Sequence, residues 1–211
     1  MAFSNGYLYV KSTDGTIKKI SVSDATSTII ATSFVNGCSG TNGTSGLECN
    51  LNSSAMAVDS SGIVYVFAEE VIKKIIPSST SSNPSVTILD GTSAKFDYLK
   101  SMKFDANGNL FVVDRRSIRK ITPSGEVTTY LEDTANDGFE DIVFDSSGNL
   151  FISTYKSSNR ILKYTPSGDL TVFAGGYQGR TRGYLDGTGT LTKFYLLTQM
   201  VIDSDDNLYV V

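Results

Sequence analysis

Between Tyr177 and Tyr184 the chain packs two arginines and two tyrosines into eight residues, YQGRTRGY. Arginine offers a planar fork that fits a carboxylate or a phosphate, and tyrosine a rigid apolar face with a polar tip. Both are enriched at binding hot spots. The combination suits an acidic glycan or an acidic protein surface better than an apolar small molecule. Tyr177, Gln178, Arg180, Arg182 and Tyr184 are therefore candidate partner-binding residues, and Arg115 and Arg116 join them on the strand order derived below. The competing reading is a linker whose tyrosines pack on the strands beneath it.

Catalytic chemistry is harder to find. The chain has no histidine, so it lacks the commonest general base and metal ligand. A Ser-His-Asp triad, a Cys-His pair or a His-bearing zinc site cannot be built from these residues. The stretch Asp203-Ser204-Asp205-Asp206-Asn207 alternates carboxylates as a calcium loop would. Such a loop needs glycine at its sixth position, where Leu208 stands. A tight turn, with Asp203 accepting local backbone N–H bonds, explains the pattern better. No catalytic residue, metal ligand or cofactor is assigned.

Cys38 and Cys49 bracket a Gly/Ser/Thr-rich loop and are expected to form a local disulfide, against the alternative of two free thiols. Asn42 and Asn52 head glycosylation sequons in the same region. Together these features favour an oxidising, extracellular or cell-surface setting. A net charge of −4 and a pI near 4.8 provide no electrostatic footprint for nucleic acid. No apolar run is long enough for a membrane helix, so membrane insertion is not expected.

The elements that must position these residues come from a repeat. MAVDSSGIVYV (56–66), MKFDANGNLFV (102–112), IVFDSSGNLFI (142–152) and VIDSDDNLYVV (201–211) share one plan: apolar strand, Asp, small-residue turn, second apolar strand. MAFSNGYLYV at the N-terminus is the same unit with one residue fewer. A third strand follows as TIKKI, VIKKI, SIRKI and RILKY, then Thr-Pro-Ser-Gly or a looser turn, then a fourth strand such as EVTTY or DLTVF. Four short antiparallel strands in a repeat of about 40–50 residues are the mark of a propeller blade. Apolar residues run consecutively in LYVV, LFVV and VYVF, as strands buried on both faces require. The cations Lys18, Lys19, Lys73, Lys74, Arg119, Lys120 and Lys163 recur once per repeat. They are expected to lie over apolar neighbours around the rim rather than to form one nucleic-acid patch.

Strand–Asp-x-x-Gly-Asn–Leu-Tyr-Val, then Ile-Arg-Lys-Ile, Thr-Pro-Ser-Gly and Val-Thr-Thr, resembles the NHL-repeat β-propeller family. LDGTSAKFDYL (89–99) and LDGTGTLTKFYLL (185–197) resemble that family's inter-blade linkers. The resemblance implies an all-β fold: one propeller domain over 1–211, with blades near 1–48, 49–95, 96–136 and 137–193 and a partial blade over 194–211. It further implies that the chain is cut from a larger, six-bladed ring. In such a blade, the linkers from fourth to first strand share one end with the second-to-third-strand turns, which groups Arg115 and Arg116 with residues 174–193. The expected function is a non-enzymatic extracellular or surface-exposed binding or assembly module with a protein or glycan partner, part of an adhesive or filament-forming protein, with homo-oligomers or filaments within reach. Two alternatives stay open: a propeller hydrolase or lyase whose catalytic residues lie outside this segment, and an RNA-binding NHL domain. Related propeller enzymes, the amidating lyases and paraoxonase-like lactonases, rely on histidines that this sequence does not supply.

The cysteine assignment is directly testable. Denatured protein purified without reductant should contain no titratable thiol, and a count of two would overturn both the disulfide and the compartment it implies.

Overall fold

The computed structural model describes residues 1–12, 16–31, 55–68, 70–77, 85–89, 96, 98–156, 159–176 and 183–211. Cys38, Cys49, Asn42, Asn52, Tyr177, Gln178, Arg180 and Arg182 lie outside the described residues.

Eighteen strands are described. The first sheet comprises β1 (Ala2–Ser4), β2 (Tyr7–Lys11), β3 (Ile17–Ser21) and β4 (Ser27–Ala31). The second comprises β5 (Met56–Val58), β6 (Val64–Ala68), β7 (Val71–Ile76) and β8 (Ser85–Ile88). The third comprises β9 (Leu99–Phe104), β10 (Leu110–Asp114), β11 (Ser117–Ile121) and β12 (Val127–Glu132). The fourth comprises β13 (Phe139–Phe144), β14 (Leu150–Thr154), β15 (Arg160–Tyr164) and β16 (Leu170–Gly175). A two-stranded sheet of β17 (Met200–Ile202) and β18 (Leu208–Val210) follows. Each four-stranded sheet is an antiparallel meander in chain order. Among the described residues the one helical element is a single 3-10 turn, Gly189–Leu191. The fold is all-β and built of propeller blades, as the repeat requires. The chain divides into two compact units, residues 1–99 with 122–127 and residues 100–121 with 128–211.

The first hairpin of every repeat except the N-terminal one is closed by an aspartate. Asp105 Oδ1 accepts the N–H groups of Asn107 (2.9 Å) and Asn109 (2.8 Å). Asp145 does the same for Ser147 (3.0 Å) and Asn149 (2.8 Å). Asp59 serves Ser61 and Ile63, and Asp203 serves Asp205 and Asn207. The bonds to Asn207 hold the Asp203 carboxyl below its usual range, since they favour the ionised form. Gly62, Gly108 and Gly148 take positive φ in these turns, and Asp206 takes it (φ 62°) in the last. Its carboxylate in turn accepts bonds from the Ser146 N–H (2.8 Å) and hydroxyl, latching the fourth sheet's turn to that of the final pair.

The third-strand cations lie over aromatic rings of the neighbouring strand. Lys19 Nζ is 3.7 Å from the Tyr7 centroid, Lys163 Nζ is 5.5 Å from Phe151, and Lys120 Nζ is 5.9 Å from Phe111. Lys73 departs from the rim expectation because it is buried. Its strand places it opposite Val66 and Ile88, on an inward-facing position. Burial raises the Tyr65 phenol to about 12, helped by the Asp59 carboxylate 3.3 Å away.

Core packing occurs between sheets. In the first unit, Tyr9 and Ile17 of the first sheet pack with Met56, Val64, Val66 and Ile75 of the second. In the second unit, Phe111, Val113 and Ile118 pack with Ile142, Leu150, Ile152 and Leu162. Val143, Phe151 and Ile161 pack in turn with Met200 and Leu197. Each large side chain so buried contributes about 1.5–3 kcal/mol.

One buried polar residue stitches the second unit's first strands together. The register of β13 against β14 shifts between Phe139 and Ile142, and such a bulge re-aims a side chain. Asp141 sits in that shift, buried, and accepts bonds from the Ser101 hydroxyl on β9 and the Met200 N–H on β17 (2.7 Å). Its own N–H donates to Ser153 Oγ (3.0 Å). Asp141→Ala strands both donors, at about 1–3 kcal/mol for each unsatisfied group. The urea midpoint should fall by an amount equivalent to about 3 kcal/mol at unchanged slope. A loss below about 1 kcal/mol would remove Asp141 as a structural link.

Candidate partner-binding site

In a four-stranded meander, the start of the first strand, the end of the second, the start of the third and the end of the fourth share one edge. In the second unit this brings together the β10–β11 turn, the linker into β13, the β14–β15 turn and the linker from β16 to β17. Arg115 and Arg116 are both exposed on the first of these, and Arg115 takes φ 50°. Beneath them Asp114 is buried, with Arg119 Nη1 at 3.7 Å.

A chain of hydrogen bonds fixes these segments to one another. The Arg116 carbonyl accepts the Asp133 N–H (2.7 Å). The buried Asp133 carboxylate accepts the N–H groups of Asp137 (2.9 Å) and Gly138 (2.8 Å), one on each oxygen. The buried Asp137 carboxylate pairs with the Arg160 guanidinium. Next to Arg160, the fully buried Asn159 accepts the Leu196 N–H on Oδ1 (2.9 Å). The dipeptide Asn159-Arg160 thus ties the linker before β13 to the linker before β17. Asn159 and Leu196 both take positive φ, at 44° and 55°. For a bulky residue such as leucine this conformation is costly and persists where its surroundings over-determine it. Among the described residues, Asn159 Nδ2 and Arg160 Nε are buried without a hydrogen-bond partner.

Two aromatic features stand on this framework. Tyr155 is half-buried between two ammonium groups, Lys100 at 5.1 Å and Lys156 at 5.9 Å from its centroid. Lys100 pairs with Glu140 at 2.9 Å, whereas the exposed Lys156 donates to the neutral Asn136 Oδ1 at 3.1 Å. Tyr184 is 86% exposed, and its ring lies 5.9 Å from that of Tyr195 at 42°. The bridge between Leu185 and Lys193 folds this linker back on itself. The Gly175 N–H, donating to Thr192 Oγ1 (2.8 Å), anchors it to β16.

The connectivity therefore gathers Arg115, Arg116 and Tyr184 at one edge of their sheets, as the strand order implies. Sequence reasoning missed Tyr155, Lys156, Asn159, Arg160 and Tyr195. One signal was present: the β14–β15 turn is longer than the β10–β11 turn, and the extra residues carry Tyr155 and Lys156. The assembled groups are cations, phenol rings and exposed linker backbone, which can hold an anionic or hydroxyl-rich partner. Among the described residues no three His, Cys, Asp or Glu side chains stand together as a metal site.

No protein-family model matches the sequence, and no curated protein is similar to it. Solved structures are similar in fold. A Bacteroides thetaiotaomicron protein of unknown function aligns over 97% of this chain and 52% of its own, with a TM-score of 0.72 and 16% identity. A streptogramin B lyase aligns over 99% and 60%, with a TM-score of 0.62 and 13% identity. An auxiliary nutrient binding protein from Bacteroides ovatus aligns over 96% and 55%, with a TM-score of 0.63 and 11% identity. The chain spans between about half and three-fifths of the length of these structures. At such identities the likeness shows the propeller fold.

Gly138 sets the position of Tyr155. It takes φ 72°, and a Cβ there would lie 2.6 Å from Tyr155 Cε1 and 2.7 Å from Lys156 Cγ. Gly138→Ala should cost about 1–3 kcal/mol in backbone strain and displace the Tyr155 ring, read as a change in the near-ultraviolet circular dichroism. Unchanged stability with an unchanged spectrum would show that the glycine holds nothing in place.

Proposed function

We propose that this protein is a non-enzymatic binding or assembly module built on an NHL-type propeller, extracellular or surface-exposed, whose loop edge in the second unit takes an acidic glycan or an acidic protein surface. The observation that carries the reading is the cross-braced edge itself. Asp133, Asp137, Asn159 and Arg160 hold the linkers rigid, while Arg115, Arg116, Lys156 and Tyr184 are left exposed. A rigid scaffold beneath cationic and aromatic groups lowers the ordering cost of binding. The absence of histidine supports a binding role over catalysis. So does the fold shared with a nutrient binding protein, by analogy alone. Arg180 and Arg182 belong to the same linker in sequence and extend the proposed surface.

A second reading, a lyase or lactonase propeller, draws on the fold shared with a streptogramin B lyase. It requires catalytic groups from outside this sequence.

Titration calorimetry with polygalacturonate, polyglutamate and a neutral dextran separates the cases. Binding to one of the two polyanions, weakening as salt rises, is expected, with none to dextran. Arg115→Ala combined with Lys156→Ala should weaken it at least tenfold, about 1.4 kcal/mol. Folding stability should stay within about 1 kcal/mol, as for exposed sites. Equal affinity in the double variant would move the site elsewhere.

A further inference from the structure

The aspartate-closed turns differ at their third residue, which is Ser61, Asn107, Ser147 or Asp205. Asn107 is the reactive member of that set. An asparagine amide carbon can be attacked by the backbone nitrogen of the next residue, closing a succinimide ring. Glycine, with no Cβ, hinders that approach least. Asn107 is followed by Gly108, which takes φ 78°, and both are exposed. Among the described residues the Asn107 side-chain amide has no hydrogen-bond partner. The Gly108 N–H donates to the Asp105 carbonyl at 3.2 Å. That bond lies in a solvent-facing turn, where local opening costs little.

The other described asparagines are protected. Asn109 is buried and gives Nδ2 to Asp105 Oδ2 (2.7 Å). Asn149 and Asn207 make the same bond to Asp145 (2.7 Å) and Asp203 (3.0 Å). All three precede a leucine, whose Cβ crowds the attack. Asn159 is fully buried and precedes Arg160. Asn136 accepts a bond from Lys156 and precedes Asp137. Asn5 precedes Gly6, but its Nδ2 is held by the Ser60 carbonyl. Asn107 alone among the described residues combines exposure, an unheld amide and a following glycine.

We propose that Asn107 is a self-modification site, converted by the Gly108 backbone nitrogen and then water to aspartate or isoaspartate. The Gly108 nitrogen gives up its proton to solvent base and bonds to Asn107 Cγ. The Cγ–Nδ2 bond breaks and the amide leaves as ammonia. Water then adds to one of the two imide carbonyls and breaks its bond to the ring nitrogen, which takes back a proton. Opening at Cγ gives aspartate with the normal backbone. Opening at the Asn107 carbonyl carbon gives isoaspartate, whose backbone runs through Cβ and Cγ and is one carbon longer. Water is the only co-reactant. The longer backbone misplaces the groups that close the turn. Asp105 Oδ1 bridges the N–H groups of Asn107 (2.9 Å) and Asn109 (2.8 Å), and the Asp105 carbonyl accepts from Gly108, only at the normal spacing. Either product also adds a carboxylate two residues from Asp105. The reaction is independent of partner binding at the loop edge.

The test is to incubate the full chain, folded, at mildly alkaline pH and to map its peptides by mass spectrometry, with electron-transfer fragmentation to separate isoaspartate from aspartate. Asn107 should convert ahead of Asn5, Asn109, Asn136, Asn149, Asn159 and Asn207. Its rate should rise in proportion to hydroxide, and both products should appear. Chains converted to isoaspartate at this position alone, isolated by anion exchange, should have a lower urea midpoint than unconverted protein. The loss should exceed that of an Asn107→Asp variant, which carries the charge on a normal backbone. Asn107→Ser, the residue that Ser61 and Ser147 provide in the same turn, should fold with an unchanged midpoint and show no conversion here. The proposal is overturned if folded protein keeps the Asn107 amide over a period in which the urea-unfolded chain loses it, or if Asn5 converts first. An isoaspartyl fraction no less stable than Asn107→Asp would overturn the opening of the turn.

Discussion

A short antiparallel sheet with apolar residues on both faces cannot exist alone in water, and the rest of this structure follows from that constraint. Tyr9, Phe111 and Phe151 point to one side of their sheets, while Met56, Ile142 and Met200 serve the other side of theirs. Each sheet therefore needs a neighbour, and stability accrues at the contacts between repeats rather than inside any one of them. Backbone hydrogen bonds satisfy the sheet internally, but the free energy that offsets chain entropy comes from the buried aromatic and branched side chains between sheets.

Stacking alone leaves orientation loosely defined, because apolar contacts are non-directional. Directional bonds supply what is missing. At one edge, turn aspartates lock the hairpins after β5, β9, β13 and β17, and Asp206 reaches back to Ser146. Within the sheets' first strands, Asp141 links β9, β13 and β17 through Ser101 and Met200. At the opposite edge, Asp133, Asp137, Asn159 and Arg160 brace the linkers. These groups are bonded, and Asp133, Asp137, Asp141 and Asn159 are also buried, where a fold of repeated, near-identical contacts would otherwise tolerate slippage.

In the second unit the proposed site lies at the braced edge, because the described turns at the other edge are short and closed by their own aspartates and backbone. The linkers vary in length, carry tyrosine and basic residues, and rest on immobilised side chains. A leucine in the left-handed region at position 196, held by the amide of Asn159, marks a place where local preference yields to the surrounding framework.

The sequence by itself determined the strands, their pairing order and the turns, because these depend on local chemistry repeated several times. Aspartate two or four residues before a backbone N–H closes a hairpin wherever it occurs, and consecutive apolar residues imply burial on both faces. Lysines beside aromatic strands were legible as rim residues for the same reason, except for Lys73. Its burial depends on which positions of the second sheet face inward, and that is not written in its neighbours. Tertiary structure alone decided the Asp141 link, since a one-residue register shift in β13 re-aims the side chain and no local pattern announces it. It decided the make-up of the candidate site as well: Tyr155 lies near Lys100 and Lys156, and Arg160 meets Asp137, only after distant segments converge. Periodicity reports what each repeat has in common, whereas the site is made of the departures from it, and departures acquire meaning only from what they touch.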